Sequence, residues 1–119
     1  MHYEMVVKRR MPVEKLVYLL AAAPAMIFGH YPRKGTIDVG GDADLILFDP
    51  RTRKQIRNED LHQGTDHTIF EGWEVQGFAK MTLARGKVLV EDGIWVGPDS
   101  DGEWLKRQIH PAIIEGPAM

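Results

Sequence analysis

Three residues in a polar loop could form a small metal site. His62, Asp66 and His67 combine imidazole and carboxylate groups within six positions of one another. Imidazole and carboxylate both bind zinc, and so short a segment could close around one ion. The alternative, which we favour, is a solvated loop whose polar residues hold no metal.

Asp42 and Asp44 could act as a general acid and base. Their alternate spacing places both carboxylates on one face of a strand, close enough to interact. A carboxylate beside a glycine turn also commonly accepts backbone amide hydrogens. We therefore favour a turn cap and a hydrogen-bonding carboxylate over a catalytic pair.

The remaining polar motifs indicate no catalytic or nucleic-acid site. The five histidines are scattered, with neither a His-x-His nor a His-Glu-x-x-His pattern. Gly40-Gly41 lacks the following helix and Lys-Thr of a phosphate loop. The basic clusters at 33–34 and 51–57 lack interleaved aromatic residues for base stacking, so they are interpreted as solvated.

Length and composition indicate one domain of ordinary globular composition. The chain has 119 residues, 44% apolar and 27% charged, with net charge −2. This is ordinary for one soluble domain, while an eight-stranded enzyme barrel needs roughly 250 residues. The absence of cysteine excludes disulfides and thiolate metal sites. With no signal-peptide layout and no apolar run long enough to span a bilayer, we expect a cytoplasmic protein that binds neither membranes nor nucleic acids.

The first elements predicted are helical. Pro12 suits a first helical turn, and Val13, Leu16, Val17 and Leu20 recur at helical spacing. Pro24 is expected to interrupt this helix, and Gly29 to end a second helical turn. Residues 12–28 are thus predicted as a helix, a corner and a helical turn.

Short strands follow the helix. The alternation at 36–39, the Gly40-Gly41 turn and the apolar run at 43–48, which Pro50 ends, predict a hairpin. A short strand is possible at 54–57. Further strands are predicted at 73–78, 80–85, 87–91 and 94–96, the last two joined by a type I′ turn at Asp92-Gly93. A helical turn is predicted at 103–107.

Several segments together resemble the dihydropyrimidinase and hydantoinase branch of the amidohydrolase superfamily. Residues 23–29 and 31–37 are similar to the branch's corner and its Pro-Arg-Lys-Gly-Thr-Ile strand. Residues 40–45 resemble its Gly-x-Asp-Ala-Asp-Leu turn, and residues 70–77 its Phe-Glu-Gly element. Residues 85–93 and 104–107 resemble its closing hairpin and terminal signature. Ala23 and His67 depart from it, because asparagine and tyrosine are usual there.

The resemblance implies a fold and a division of the chain. It implies a mainly β chain with an N-terminal helix: a partial β-sandwich, as in the small composite domain of amidohydrolases, plus the last barrel helix. Residues 1–30 would be that helix and its corner, 31–98 the sandwich portion, and 99–119 a C-terminal tail.

The resemblance also implies that the chemistry lies outside this chain. Family members use two zinc ions held by a His-x-His pair, a carboxylated lysine, two further histidines and an aspartate, all on the barrel. None of these ligands maps onto this sequence. We therefore predict no catalytic, cofactor-binding or metal-binding residue, no cofactor in this chain, and no activity for the chain alone.

Partners follow from the same comparison. The family's helix packs on the barrel, and its sheet takes strands from both ends of the full chain. Without the barrel and the N-terminal strands, the helix at 12–22 either folds back on the sheet or leaves its apolar stripe exposed. One strand edge of the sheet is then unpaired. We expect a homo-oligomer or association with a separate barrel chain.

Two hypotheses therefore stand. The first is the C-terminal, non-catalytic scaffold and oligomerisation portion of a hydantoinase-like hydrolase acting on cyclic amides. The second is a stand-alone β-sandwich module for binding or assembly, in which Trp73, Trp95 and Trp104 could line a site, although aromatic residues more often complete a core. The parent substrate, dihydropyrimidine or hydantoin, is not specified by these residues.

Overall fold

The N-terminal region is helical. The computed structural model describes residues 1–99, 102–109 and 111–116. A π-helical segment, Tyr3–Lys8, precedes α1 (Val13–Val17), a π-helical turn (Tyr18–Ala22) and α2 (Ala23–Ile27). Gly29 follows with φ +74°, which confirms the predicted glycine end of the helix.

The predicted corner at Ala23-Pro24 is wrong. Ala22 and Ala23 keep helical dihedral angles, so the helix continues through residues 13–27. The N–H of Ala23 bonds to the carbonyl of Tyr18, in the pattern of a π-helical turn. We attribute the continuity to this wider turn, because it shifts the hydrogen-bonding pattern just before Pro24, whose ring would crowd a regular helix.

The small core lies in this helical region. The buried apolar side chains among the described residues are Leu16, Ala23 and Ala25. The loop after the helix packs closely on them at Gly35, whose φ is +85°. A Cβ at Gly35 would lie 2.6 Å from the Cβ of Ala25, so only glycine fits.

Four strands form one antiparallel sheet in chain order. They are β1 (Leu45–Gln55), β2 (Glu74–Ala84), β3 (Lys87–Glu91) and β4 (Ile94–Trp95), each paired with the next. A short 3₁₀ helix, Asn58–Asp60, lies between β1 and β2. The predicted strand at 87–91 is confirmed, and Asp92 and Gly93 both have positive φ, as a type I′ turn requires.

The predicted strand at 36–39 is wrong, and with it the hairpin at Gly40-Gly41. These residues form turns and bends. The N–H of Asp42 donates to the carbonyl of Arg33 at 2.8 Å, and the N–H of Gly41 to the carbonyl of Asp38 at 3.1 Å. The segment therefore closes on itself as a loop and does not pair with β1.

The prediction that Pro50 ends its strand is also wrong. The pairing of β1 with β2 is irregular between Asp49 and Arg53, so Pro50 lies where the ladder does not need its missing N–H. The Asp49 carboxylate accepts the backbone N–H of Arg51 at 2.8 Å and the Thr52 hydroxyl at 2.9 Å. The strand then resumes to Gln55 and includes part of the separate strand predicted at 54–57.

Two other local predictions change. The strands predicted at 73–78 and 80–85 are a single strand, β2, which passes through Gly77 at φ +94°. The helical turn predicted at 103–107 is wrong, because these residues are not helical and the N–H of Gln108 bonds to the carbonyl of Gly29 at 2.7 Å. A helix, α3, lies later, at Pro111–Glu115.

The antiparallel β character and the N-terminal helix agree with the predicted fold class. The second layer of the sandwich is not formed by the described residues, whose strands all belong to one sheet. The sandwich, the barrel origin of the helix and the boundaries at 30/31 and 98/99 stay predictions. None of the helices in the described ranges has the length and apolar character needed to cross a membrane.

Candidate functional site

An ion-pair cluster joins the loop after α2 to the sheet. Arg33 Nε donates to both oxygens of Asp42, at 3.1 and 3.0 Å. Lys34 Nζ lies 2.9 Å from Asp42 Oδ2 and also pairs with Asp44. On the outer side, Arg33 Nη2 lies 3.8 Å from Glu103 Oε1. Asp42 is thus held between two cations, and Asp44 shares one of them, Lys34.

Asp44 extends this cluster to the turn between β2 and β3. Its Oδ1 accepts the backbone N–H of Arg85 at 2.8 Å, beside a bond from the N–H of Gly86 to the carbonyl of Ala43 at 2.9 Å. Asp42 and Asp44 therefore lie together, as their spacing predicted, but their oxygens are occupied by amides and cations. This arrangement fixes a loop and does not leave a free acid and base.

The electrostatics agree with a structural cluster. The pKa of Asp42 is lowered, chiefly by the hydrogen bond from Lys34 and then by that from Arg33. Burial acts to raise the pKa of Asp44, but the bonds from Lys34 and the Arg85 amide outweigh it and lower that pKa. Burial likewise opposes the raised pKa of Lys34, which the two carboxylates produce. All three groups stay charged at neutral pH.

The structure does not bring the three candidate metal ligands together. His67 Nδ1 lies 2.9 Å from Asp66 Oδ1, and both side chains are exposed. His62 Nε2 instead lies 3.0 Å from the carbonyl oxygen of Gly93, and its ring meets Trp95 edge-on at 6.4 Å between centroids. His62 therefore ties the polar loop to the β3–β4 turn.

The side chains of the described residues do not form a site for the zinc ions of the family that the sequence resembles. Within residues 1–99, 102–109 and 111–116, no three His, Cys, Asp or Glu side chains come together as a metal site would require. His2, for example, bonds through Nδ1 to the carbonyl of Gln76 at 3.0 Å and packs on Phe48. We therefore derive no chemical step through a metal here.

The surface is unusually extensive for this mass. The chain exposes 9303 Å², whereas a compact monomer of 13.5 kDa exposes roughly 6,500 Å². Its radius of gyration is 16.2 Å against about 13.5 Å for a compact domain of this length. The excess of about 2,800 Å² is surface that a complete domain would bury.

Much of this surface is apolar and grouped. On the helical region, Leu16 is 6% exposed while Val17 and Leu20 are 58% and 52% exposed. The predicted stripe is therefore divided, with Leu16 in the core and its neighbours on the surface. The other large exposed hydrophobic residues of 13–28 are Val13, Tyr18, Leu19, Ile27 and Phe28.

The sheet has an open edge at β1. Within the described residues, β1 is the outermost strand, and only β2 pairs with it. Three successive apolar residues on it, Ile46, Leu47 and Phe48, are exposed. An apolar strand with a free edge is a template for pairing with another strand.

A shallow open pocket lies near the C-terminal end of the described region. It has a volume of about 470 Å³ and is lined by His30, Glu103, Trp104, Leu105 and Arg107. Trp104 is 84% exposed, and Trp73 and Trp95 are also exposed. The three tryptophans therefore lie on the surface and do not complete a core.

Sequence reasoning missed two anchoring contacts. His2 had no assigned role, yet its Nδ1 contact with the Gln76 carbonyl ties the N-terminal segment to β2. The hydrogen bond from the backbone N–H of Arg85 to the Asp44 carboxylate was also missed. Neither contact has a local sequence signal, because its partners lie 74 and 41 positions apart.

Comparison with known proteins defines the class. The sequence profile of the amidohydrolase family matches residues 1–109, so the chain belongs to that family. Its similarity is to hydantoinases in particular. A D-hydantoinase from Ralstonia pickettii is 43% identical over 108 residues, which are 91% of this chain and 24% of that protein.

Solved structures agree with this placement. A D-hydantoinase structure from Bacillus sp. AR9 superposes with a TM-score of 0.86 at 37% identity, covering 91% of this chain and 24% of that one. A D-hydantoinase (dihydropyrimidinase) from Thermus sp. gives 0.81 at 40% identity, covering 89% and 23%. The chain thus spans about a quarter of the length of its relatives and corresponds to one part of a hydantoinase-like protein.

Proposed function

We propose that this chain is the non-catalytic C-terminal portion of a hydantoinase-like hydrolase that opens cyclic amides. Its role is to support and assemble the enzyme, and it is inactive alone. The zinc ions and carboxylated lysine of that chemistry belong to the barrel outside this chain. The observation that carries the proposal is the excess accessible surface of about 2,800 Å² beside a core of three small or aliphatic side chains.

Two surfaces would receive the rest of the enzyme. The exposed apolar residues around Val17 and Leu20 suit packing of the helix on a barrel, where an aliphatic side chain contributes by leaving water. The free edge of β1 suits further strands of the small domain. The ion-pair cluster of Arg33, Lys34, Asp42 and Asp44 would hold the intervening loop, and so set the helix relative to the sheet.

A graft into a known enzyme tests this proposal. Residues 1–109 of this chain would replace the aligned quarter of the Ralstonia pickettii D-hydantoinase, and hydantoin ring opening would be measured. We expect the graft to be folded and active, and the isolated chain with added zinc to be inactive. Ring opening by the isolated chain, or a graft that is folded but inactive, would contradict the proposal.

A matched pair of variants shows whether the helix face matters. In the graft, Leu20→Asp places a charge on the face assigned to the barrel, and Ile94→Asp places one on β4, which has no assigned partner. Both residues are more than half exposed in the isolated chain. We expect Leu20→Asp to abolish activity or folding of the graft, and Ile94→Asp to preserve both.

A stand-alone binding module is the second candidate. The exposed Trp104 and its open pocket favour it, because an exposed aromatic ring beside polar groups can stack on a planar ligand. This candidate predicts a ligand-dependent rise in melting temperature that Trp104→Ala removes. Trp73→Ala, outside the pocket, is the control, and an unchanged melting temperature across a library of planar cyclic amides would count against the module.

A further inference from the structure

The extended segment 103–108, which we call the strap, passes the end of the N-terminal helical region. At one end, Glu103 Oε1 lies 3.8 Å from Arg33 Nη2. At the other end, the N–H of Gln108 donates to the carbonyl of Gly29 at 2.7 Å. A Cβ at Gly29 would lie 2.7 Å from the carbonyl oxygen of Gln108, so the approach requires glycine. The strap is therefore attached at both ends.

The pocket between the strap and His30 has the size of a site for a small ring compound. Its volume is about 470 Å³, and ligand pockets in proteins measure roughly 300–1,000 Å³. Trp104 lines it and is 84% exposed. A planar compound that stacks on the indole removes the faces of both rings from water. The pocket thus favours a planar ring.

The negative groups around this pocket are already compensated. Glu103 is the only carboxylate among the lining residues, and it pairs with Arg33. At the end of the helix, the carbonyl of Ala25 accepts the N–H of His30 at 2.7 Å, and the carbonyl of Gly29 is bonded to the strap. An anion in the pocket therefore meets no unpaired carboxylate among the lining residues.

The charged group left unpaired in the pocket is positive. The Arg107 side chain lines the pocket and makes no hydrogen bond or ion pair with another described residue. Lys106, beside it in the strap, is exposed. A guanidinium binds a carboxylate through two parallel N–H···O bonds. The pocket therefore combines an aromatic surface with a partner for a carboxylate.

We propose that this pocket binds a planar ring that carries a carboxylate. The ring stacks on Trp104, and the carboxylate pairs with the guanidinium of Arg107. The inference rests on the second proposed function, the binding module, and adds the chemical class of its ligand. It does not depend on the scaffold role.

Three small probes separate the contribution of the charge from that of the ring. Benzoate has both features, benzamide keeps the planar ring without the charge, and cyclohexanecarboxylate keeps the charge without a planar ring. Ligand-detected NMR on the full chain at low salt gives the three affinities, since salt screens exposed charges. We expect benzoate to bind roughly tenfold more tightly than either of the others.

Matched variants locate the site. Arg107→Gln removes the proposed carboxylate partner, and Lys106→Gln removes the neighbouring cation, which does not line the pocket. We expect benzoate binding to weaken roughly tenfold for Arg107→Gln and less than about twofold for Lys106→Gln. Trp104→Ala should weaken it similarly to Arg107→Gln, whereas Trp73→Ala should not. Circular dichroism checks that the four variants are folded.

The outcomes separate this inference from both proposed functions. Equal affinity for benzoate and benzamide would overturn the carboxylate preference and leave the binding module in place. Benzoate binding that neither Arg107→Gln nor Trp104→Ala weakens would overturn the site. No binding of any probe would overturn both the inference and the module. None of these results bears on the activity of the graft, so a failure here is distinct from a failed hydrolase assignment.

Discussion

The helical region and the sheet differ in how they are stabilised. Residues 13–27 contain all the buried apolar side chains of the described chain, and the loop at Gly35 closes over them. The four strands contain none, and are joined by backbone pairing and by polar contacts at their ends. The difference teaches that side-chain burial stabilises the helical region, whereas the sheet of the described residues depends on backbone pairing and polar contacts.

The largest effect is expected where the loop meets the helix. Gly35→Ala combines a left-handed φ of +85° with a Cβ 2.6 Å from that of Ala25. We expect a loss of about 3 kcal/mol in unfolding free energy. Gly40→Ala has a φ of +94° but no atom within 4 Å of its Cβ, and should lose about 1–2 kcal/mol. Urea denaturation measures both, and equal losses would show that the loop does not pack on the helix.

The next test compares a leucine from each region. Leu16→Ala removes a buried side chain of the helical core and should cost about 2–3 kcal/mol, at the lower end for such changes. Leu89→Ala in β3 removes a half-buried side chain and should cost about 1 kcal/mol. If the sheet variant unfolds more readily than the helix variant in urea, the contrast between the regions is wrong.

The ion-pair cluster should make stability depend on pH. The folded-state pKa values of Asp42 and Asp44 are lowered, so their contribution is full above the ordinary aspartate pKa of about 3.9 and is lost as pH falls below it. Asp44→Asn should cost about 1 kcal/mol at neutral pH, since the side chain is partly exposed. Urea denaturation at several pH values should show a smaller acid-induced loss of unfolding free energy for Asp44→Asn than for the unmodified chain. An equal loss in both proteins would contradict this role of Asp44.

The smallest effect is expected at the loop histidines. Because His62 and His67 bond to different groups, added zinc should leave the melting temperature unchanged. His67→Ala should change the unfolding free energy by less than about 0.5 kcal/mol. A zinc-dependent rise in melting temperature that His67→Ala removes would contradict this prediction and support a metal site in the loop.

Local signals in the sequence predicted part of this fold. Helical spacing predicted the helix that begins at Val13, although not its continuation past Pro24, and Asp92-Gly93 predicted the β3–β4 turn. Both signals depend on neighbouring residues. The alternation at 36–39 and the Gly40-Gly41 turn predict a hairpin, but the structure forms a loop there, which the bonds between Arg33 and Asp42 close. The prediction that Pro50 ends the strand is wrong for a similar reason. The Asp49 carboxylate bonds to Arg51 and Thr52, and β1 continues after Pro50.

The candidate site was predicted less well than the fold. The spacing of Asp42 and Asp44 placed them together, but their partners Lys34 and Arg85 depend on how the loop and the β2–β3 turn meet. The exposure of Val17 and Leu20 could not be read from periodicity, because an apolar stripe looks the same whether it faces a core or a missing partner.

One measurement tests most directly whether the exposed faces belong to an interface with the rest of a hydrolase. Leu20→Cys would be labelled with a thiol reagent in the isolated chain and in the D-hydantoinase graft, and the rate at residue 20 followed by peptide mass spectrometry. Lys106→Cys, on another exposed segment, is the control. We predict rapid labelling of residue 20 in the isolated chain and strong protection in the graft, with residue 106 unchanged. Equal rates at residue 20 in a folded, active graft would contradict the account.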